Sequence, residues 1–192
     1  TALCRKTSPS LGELPVKVHE GIDVSDSGSI DKFASSVAAN SVDLLINNPG
    51  ILRSVPLDNL DADNIREQFD VNALGPLLLT AALLPALKDG AKIALLTSRM
   101  GSIADNDSGG SYGYRMSKAA LNAAGVSLAR DLRERNISVA ILHPGYVRTD
   151  MTGHSGLIDV NEAVSGLLAR IDELNIDNSG TFWHSNGEIL PW

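Results

Sequence analysis

Tyr114 and Lys118 stand four residues apart in the run Tyr114-Arg115-Met116-Ser117-Lys118. In a helix, positions i and i+4 share one face, so a phenol and an ammonium at that spacing lie close together. A neighbouring positive charge favours phenolate and lowers a pKa that is about 10 in model peptides. A phenol tuned this way gives or takes a proton near neutral pH. Ser98 closes the apolar run Lys92–Thr97 and is placed to hydrogen-bond the same reacting oxygen. Taken alone, Tyr-xxx-Lys also describes an ordinary surface helix, so the rest of the chain has to decide.

The chain has 192 residues, 43% hydrophobic and 20% charged, which excludes a disordered polymer. A net charge of −7 repels polyphosphate and argues against a nucleic-acid partner. The single cysteine, Cys4, excludes an intrachain disulfide and a cysteine-built metal site, and suits a reducing, cytoplasmic setting. His19, His143, His154 and His184 lack metal-ligand spacing, so no metal is expected. The longest apolar run, Pro76 to Leu87, is broken by Thr80 and Pro85 and is shorter than the ~18 residues a membrane span needs.

Short apolar runs alternate with helical stretches along the whole chain. Thr1 to Arg5 reads as a strand already under way. Val16-Lys17-Val18 leads into a strand exit at Gly21-Ile22-Asp23-Val24, and Asp26 caps a helix from about Gly28 to Asn40. Val42 to Asn47 is nearly all apolar, as a strand covered on both faces should be. A long helical segment, Ala62 to Lys88, is bent by Pro76 and Pro85 and ended by Gly90. Lys92–Thr97 is a strand, Ser102–Ser111 a polar loop, and Tyr112–Arg133 a helix with apolar residues at helical spacing. Ile137–Leu142 is a strand stopped by Pro144-Gly145, Asn161–Leu174 a helix, and Thr181–Trp183 a last strand. This alternation predicts an α/β, doubly wound, mostly parallel sheet, a Rossmann-like three-layer sandwich, with residues 1–192 as one domain.

In such a sheet ligands bind beyond the carboxyl ends of the strands. The residues there are Arg5, Asp23, Asn47-Asn48-Pro49-Gly50, Ser98-Arg99-Met100-Gly101 and His143-Pro144-Gly145 onward. Together with Asp70-Val71-Asn72-Ala73-Leu74-Gly75 and the Tyr114–Lys118 run, in this order, they closely resemble the short-chain dehydrogenase/reductase family. The stretches Ser98–Ser102 and His143–Met151 and the ending Gly187–Trp192 are most similar to its C-factor-like carbonyl reductase branch. The resemblance covers essentially the whole chain.

It implies an oxidoreductase that interconverts a carbonyl and an alcohol on a small molecule. Tyr114 would be the general acid/base, Lys118 would lower its pKa and hold the nicotinamide ribose, and Ser98 would orient the carbonyl. Asn72 would anchor a water in a proton relay. Asp23 would meet the adenine, and Asn47 and Gly50 would line the adenosine and ribose side. Pro144, Gly145, Val147 and Thr149 would flank the nicotinamide and pyrophosphate. Arg5, where NAD-preferring members carry an acid, suits a 2′-phosphate, so NADP is expected over NAD. The helices around Tyr114 and Asn72 could build a homo-oligomer.

Two features depart from the family pattern. Pro49 replaces the alanine of its usual Asn-Asn-Ala-Gly turn and removes an N–H. The glycine-rich strand–turn–helix that cradles the pyrophosphate does not occur before Arg5, so in family terms a first strand and helix of roughly 30 residues are absent. That opens a rival reading, a non-enzymatic binding or signalling protein that keeps the scaffold.

Overall fold

The computed structural model describes residues 1–192. Four parallel strands form the main sheet in the order β3 (Val42–Asn47), β4 (Leu87–Leu96), β5 (Ser138–His143) and β6 (Phe182–His184). Their register is continuous across the centre, with Ala94 opposite Ala140 and Leu142 opposite Trp183. Helix α5 (Tyr112–Asp131) packs Leu121 and Leu128 on the face carrying Ile93, Leu95 and Val139. Helix α6 (Val160–Glu173) packs Ile171 against Ala94, Ala140 and Leu142 on the other. The expected three-layer parallel architecture is the observed one. Asn47, Ser98 and His143 stand at the carboxyl ends of neighbouring strands, on one rim.

The amino-terminal part is a separate two-stranded parallel sheet, β1 (Ala2–Leu3) with β2 (Val18–His19), joined by α1 (Pro9–Gly12). Helix α2 (Ser27–Ala34) follows, its amino end capped by Asp26 as expected. Between β1 and the free edge of β3 lies an open slot of about 1150 Å³, with Leu3 and Cys4 on one wall and Leu44 and Ile46 on the other. Strand β3 therefore departs from the expectation of burial on both faces. Leu45 and Asn47 are buried, while Leu44 and Ile46 are 39% and 44% exposed. Their apolar character is the signature of a covered strand, but no element of this chain covers that face.

Three element boundaries also differ from expectation. Helix α2 stops at Ala34, not Asn40, and the Ser35 and Ser36 hydroxyls bond back to the Lys32 and Phe33 carbonyls. Such local bonds offer the backbone an alternative to the helical ladder. The long helical segment divides into α3 (Ala62–Phe69), a π-helical step over Asp70–Leu74, and α4 (Gly75–Leu83). An α-helical ladder would need residue 76 to donate to the Asn72 carbonyl, and Pro76 has no N–H. The ladder widens there, and the Gly75 N–H reaches back to the Asp70 carbonyl. Finally, Lys88 and Gly90 lie inside β4, which begins at Leu87.

Candidate active site

Two neighbouring elements deliver the acid/base candidates. Strand β4 ends at Leu96, and Ser98 then caps a short turn, Arg99–Gly101, its hydroxyl accepting from the Met100 N–H at 3.2 Å. The turn fits only because residue 101 has no side chain: a Cβ there would stand 2.8 Å from the Lys118 backbone. The first turns of α5 present Tyr114 and Lys118 toward Ser98, and all three side chains are buried. The Lys118 ammonium lies 5.9 Å from the Tyr114 ring centroid and donates to the Leu96 carbonyl at 2.9 Å.

Electrostatics here differ from the expectation of a phenol lowered by its lysine. Burial pushes the Tyr114 phenol up, and only the Ser98 hydroxyl pulls the other way. Burial also brings the Lys118 ammonium down to about 8. Both groups sit in a water-poor pocket, where desolvation of the charged form outweighs their mutual influence.

Asn72 enters from the π-helical step. Its side-chain carbonyl accepts from the Ile51 N–H at 2.7 Å, and its amide donates to the Ile51 carbonyl and to the Ser117 hydroxyl, each at 2.9 Å. This double clasp on Ile51 brings the β3 exit over Lys118. A Cβ at Gly50 would lie 3.6 Å from the Lys118 ammonium and 3.8 Å from the Met151 methyl. Gly50 and Lys118 thus come together.

Asn47 does not line the groove with its side chain. The side chain turns into the interior, donates to the Thr80 hydroxyl at 3.0 Å, and leaves its carbonyl oxygen buried without a partner. Asp23 and Arg5 share the far rim of the slot, with the Asp23 carboxylate taken by the Ser25 N–H and hydroxyl. Those bonds, helped by the nearby Arg5, hold Asp23 below the usual range.

Across the site, Pro144 and Gly145 follow β5. Gly145 has φ +96°, and a Cβ there would meet Ile158 at 2.7 Å. Val147 pairs with Ile158, and the Thr149 N–H donates to the Thr152 hydroxyl, so the segment folds back on itself beside Met151. Sequence reasoning missed several supports of the site. Thr97 donates to Asn122 at 2.6 Å, and the Arg99 guanidinium donates to Glu188 at 2.6 Å. The His143 and His184 rings meet edge to face at 4.9 Å. None has a spacing signal, because each joins elements distant in sequence.

The short chain dehydrogenase family model matches residues 9–157. This chain belongs to that family. It is an NAD(P)-dependent oxidoreductase by kind, and its relatives bear this out. It is 39% identical over its whole length to 1-hydroxy-2-glutathionyl-2-methyl-3-butene dehydrogenase of Rhodococcus sp. (strain AD45), covering 87% of that protein. It is 45% identical to the Myxococcus xanthus protein C-signal over 163 residues, 83% of this chain and 98% of that one. Among solved structures, the NADPH-bound carbonyl reductase from chicken fatty liver superposes with a TM-score of 0.91 at 33% identity, over 99% of this chain and 86% of the other. Within this short-chain dehydrogenase no helix is long and apolar enough to cross a membrane.

Proposed function

We propose that this short-chain dehydrogenase reduces a small-molecule carbonyl, or oxidises the matching alcohol, with NADP(H). The observation that carries the reading is the buried assembly of Ser98, Tyr114 and Lys118, locked to Asn72 and to the β3 exit. In the reducing direction Ser98 orients the carbonyl oxygen and Tyr114 gives it a proton. The Lys118 ammonium, 5.9 Å from the ring, then stabilises the tyrosinate. With a pKa near 8, Lys118 can also pass a proton on.

The residues present fit the two ends of the dinucleotide. Gly50, without a side chain, lets the β3 exit approach the Lys118 ammonium closely, as a ribose-binding site there would need, and Pro144, Gly145, Val147 and Thr149 follow β5 at the same rim and would flank the nicotinamide. Arg5, on the slot rim with Asp23, suits a 2′-phosphate, and two related structures, the chicken enzyme and one from Pseudomonas aeruginosa, hold NADPH or NADP. Bound there, the reduced nicotinamide supplies the hydride. The slot between β1 and β3 has an apolar wall at Leu44 and Ile46.

Tyr114→Phe tests the assignment. In a form of the protein that turns over, it should cut kcat by about 10²–10⁴ and leave cofactor binding nearly unchanged, read by steady-state kinetics and fluorescence titration. Wild-type turnover by the variant overturns it. A second reading, a scaffold that binds or signals without catalysis, is favoured by the open slot and by the likeness to C-signal, a relative shorter than this chain. NADPH titration of a form given a glycine-rich strand, turn and helix ahead of Thr1 separates the two, because a scaffold shows no binding at millimolar concentrations. Phe69, Leu78 and Met116, exposed on the Asn72 and Tyr114 arms, support a homo-oligomer, to be read by light scattering.

A further inference from the structure

Ser117 is fully buried between the two acid/base candidates, and the mechanism above does not use it. Its hydroxyl makes two bonds of different kinds. It accepts from the Asn72 amide at 2.9 Å, across from the π-helical step, and donates to the Tyr114 carbonyl at 2.8 Å, three residues back in its own helix. A serine hydroxyl bonded to a preceding carbonyl shares that carbonyl with the helical ladder and bends the turn it spans. The turn in question runs from Tyr114 to Lys118.

A closed circuit results. The Tyr114 carbonyl is held by Ser117, Ser117 by Asn72, and Asn72 by both backbone groups of Ile51. Gly50, next to Ile51, lies against the Lys118 ammonium, whose own helix returns to Tyr114. Its links are hydrogen bonds between uncharged groups, except that Gly50 meets Lys118 by close approach. In a buried network of this kind, loss of one member leaves a donor unsatisfied and lets its neighbours move.

We propose that Ser117 is a positioning residue. Through Asn72 it fixes the pitch of the Tyr114–Lys118 turn and so the separation and dryness of the two groups that handle the proton. The idea rests on the acid/base roles proposed above for Tyr114 and Lys118, but its signature does not require turnover.

The test is Ser117→Ala in the chain as it stands, followed by NMR titration of the labelled Tyr114 ring and Lys118 side chain, with a thermal melt to confirm folding. No carboxylate or guanidinium contributes to the displaced pKa of either group: burial displaces both, and the Ser98 hydroxyl opposes the shift at Tyr114. Loosening the turn admits water, so both values should move toward ordinary ones, Tyr114 down and Lys118 up, by about half a unit or more. The double variant Asn72→Ala/Ser117→Ala should shift no further than Asn72→Ala alone, because both act through one circuit. In an active form, kcat should fall about tenfold with KM nearly unchanged. A folded Ser117→Ala chain with unshifted titrations overturns the proposal, and so does full additivity with Asn72→Ala. An inactive wild type would count against the proposed reaction alone, since the titrations would still report on Ser117.

Discussion

On one side of β3 the sheet is filled: Ile93, Leu95, Val139 and Ile141 have no exposed surface, and helices cover both faces. On the other side the same strand presents Leu44 and Ile46 to an open slot, and β1 faces it with an unpaired edge. The candidate proton-handling groups all belong to the filled side. The groups that would hold the far half of a dinucleotide, Arg5 and Asp23, belong to the two-stranded sheet across the slot. Proton chemistry needs groups fixed and dry, and the filled side supplies that within this chain. Dinucleotide binding needs both sides held at one separation, and nothing in the main sheet's hydrogen bonding ties β1 to β3.

The comparison breaks most visibly at cofactor affinity. The 192-residue chain should bind NADPH about 10²–10⁴ more weakly than the same chain given a glycine-rich strand, turn and helix ahead of Thr1. Two lost charge-assisted bonds at ~1.5–3 kcal/mol each give that range, with every 1.4 kcal/mol worth tenfold. Calorimetric titration of both forms checks it. Equal affinities would mean that the slot closes unaided, and the distinction between the two sides would disappear.

A pair of truncations gives a smaller effect and a sharper contrast. Leu95→Ala, in the filled side, should cost about 2–5 kcal/mol by urea unfolding. Leu44→Ala, 39% exposed on the slot, should cost about 1 kcal/mol or less. In the form given the added strand, turn and helix the cost at Leu44 should rise toward that at Leu95. If Leu44→Ala is already as costly in this chain, something covers the slot in solution.

The filled side was also the more legible in sequence. The order of strands, the parallel sheet, Asp26 as a cap, and Ser98, Tyr114 and Lys118 on one rim follow from apolar runs, turn residues and i,i+4 spacing, all local signals. Other features were set by contacts between distant residues. Asn47 is polar and follows a strand, so it reads as a groove residue, yet Thr80 draws it inward. Tyr114 beside Lys118 reads as a lowered phenol, yet burial, which spacing does not encode, dominates. Pro76 reads as a break, but the π-helical step absorbs it within a continuous helical path. The early end of α2 is a competition among serines that periodicity alone does not weigh. The apolar Leu44 and Ile46 read as a covered face, yet they are 39% and 44% exposed on the slot, because coverage depends on distant elements that the strand's own residues do not specify.

The smallest expected effect is a pH dependence confined to the filled side. His143 ends β5, packed edge to face on His184, with its Nδ1 buried and unpartnered. Burial, then the nearby His184 and Arg99, bring its pKa down to about 3 from an ordinary 6.5. The folded state thus holds His143 neutral at pH values where the unfolded chain binds a proton. Stability should therefore be fully present above about 6.5 and decline as pH falls toward 3, the unfolded state binding more protons throughout that window. At pH 5 the loss from this group should be about 2 kcal/mol, at 1.36 kcal/mol per unit. His184, displaced in the same direction by burial first, adds to the same limb. Replacing His143 by Asn removes the titration, so urea unfolding of His143→Asn should show a flatter acid limb than the wild type between pH 6.5 and 4. Arg5 and Asp23 sit across the slot, away from these histidines, so Asp23→Asn should leave that limb unchanged. An equal flattening by Asp23→Asn would place the acid sensitivity on the open side and contradict the separation drawn between the two.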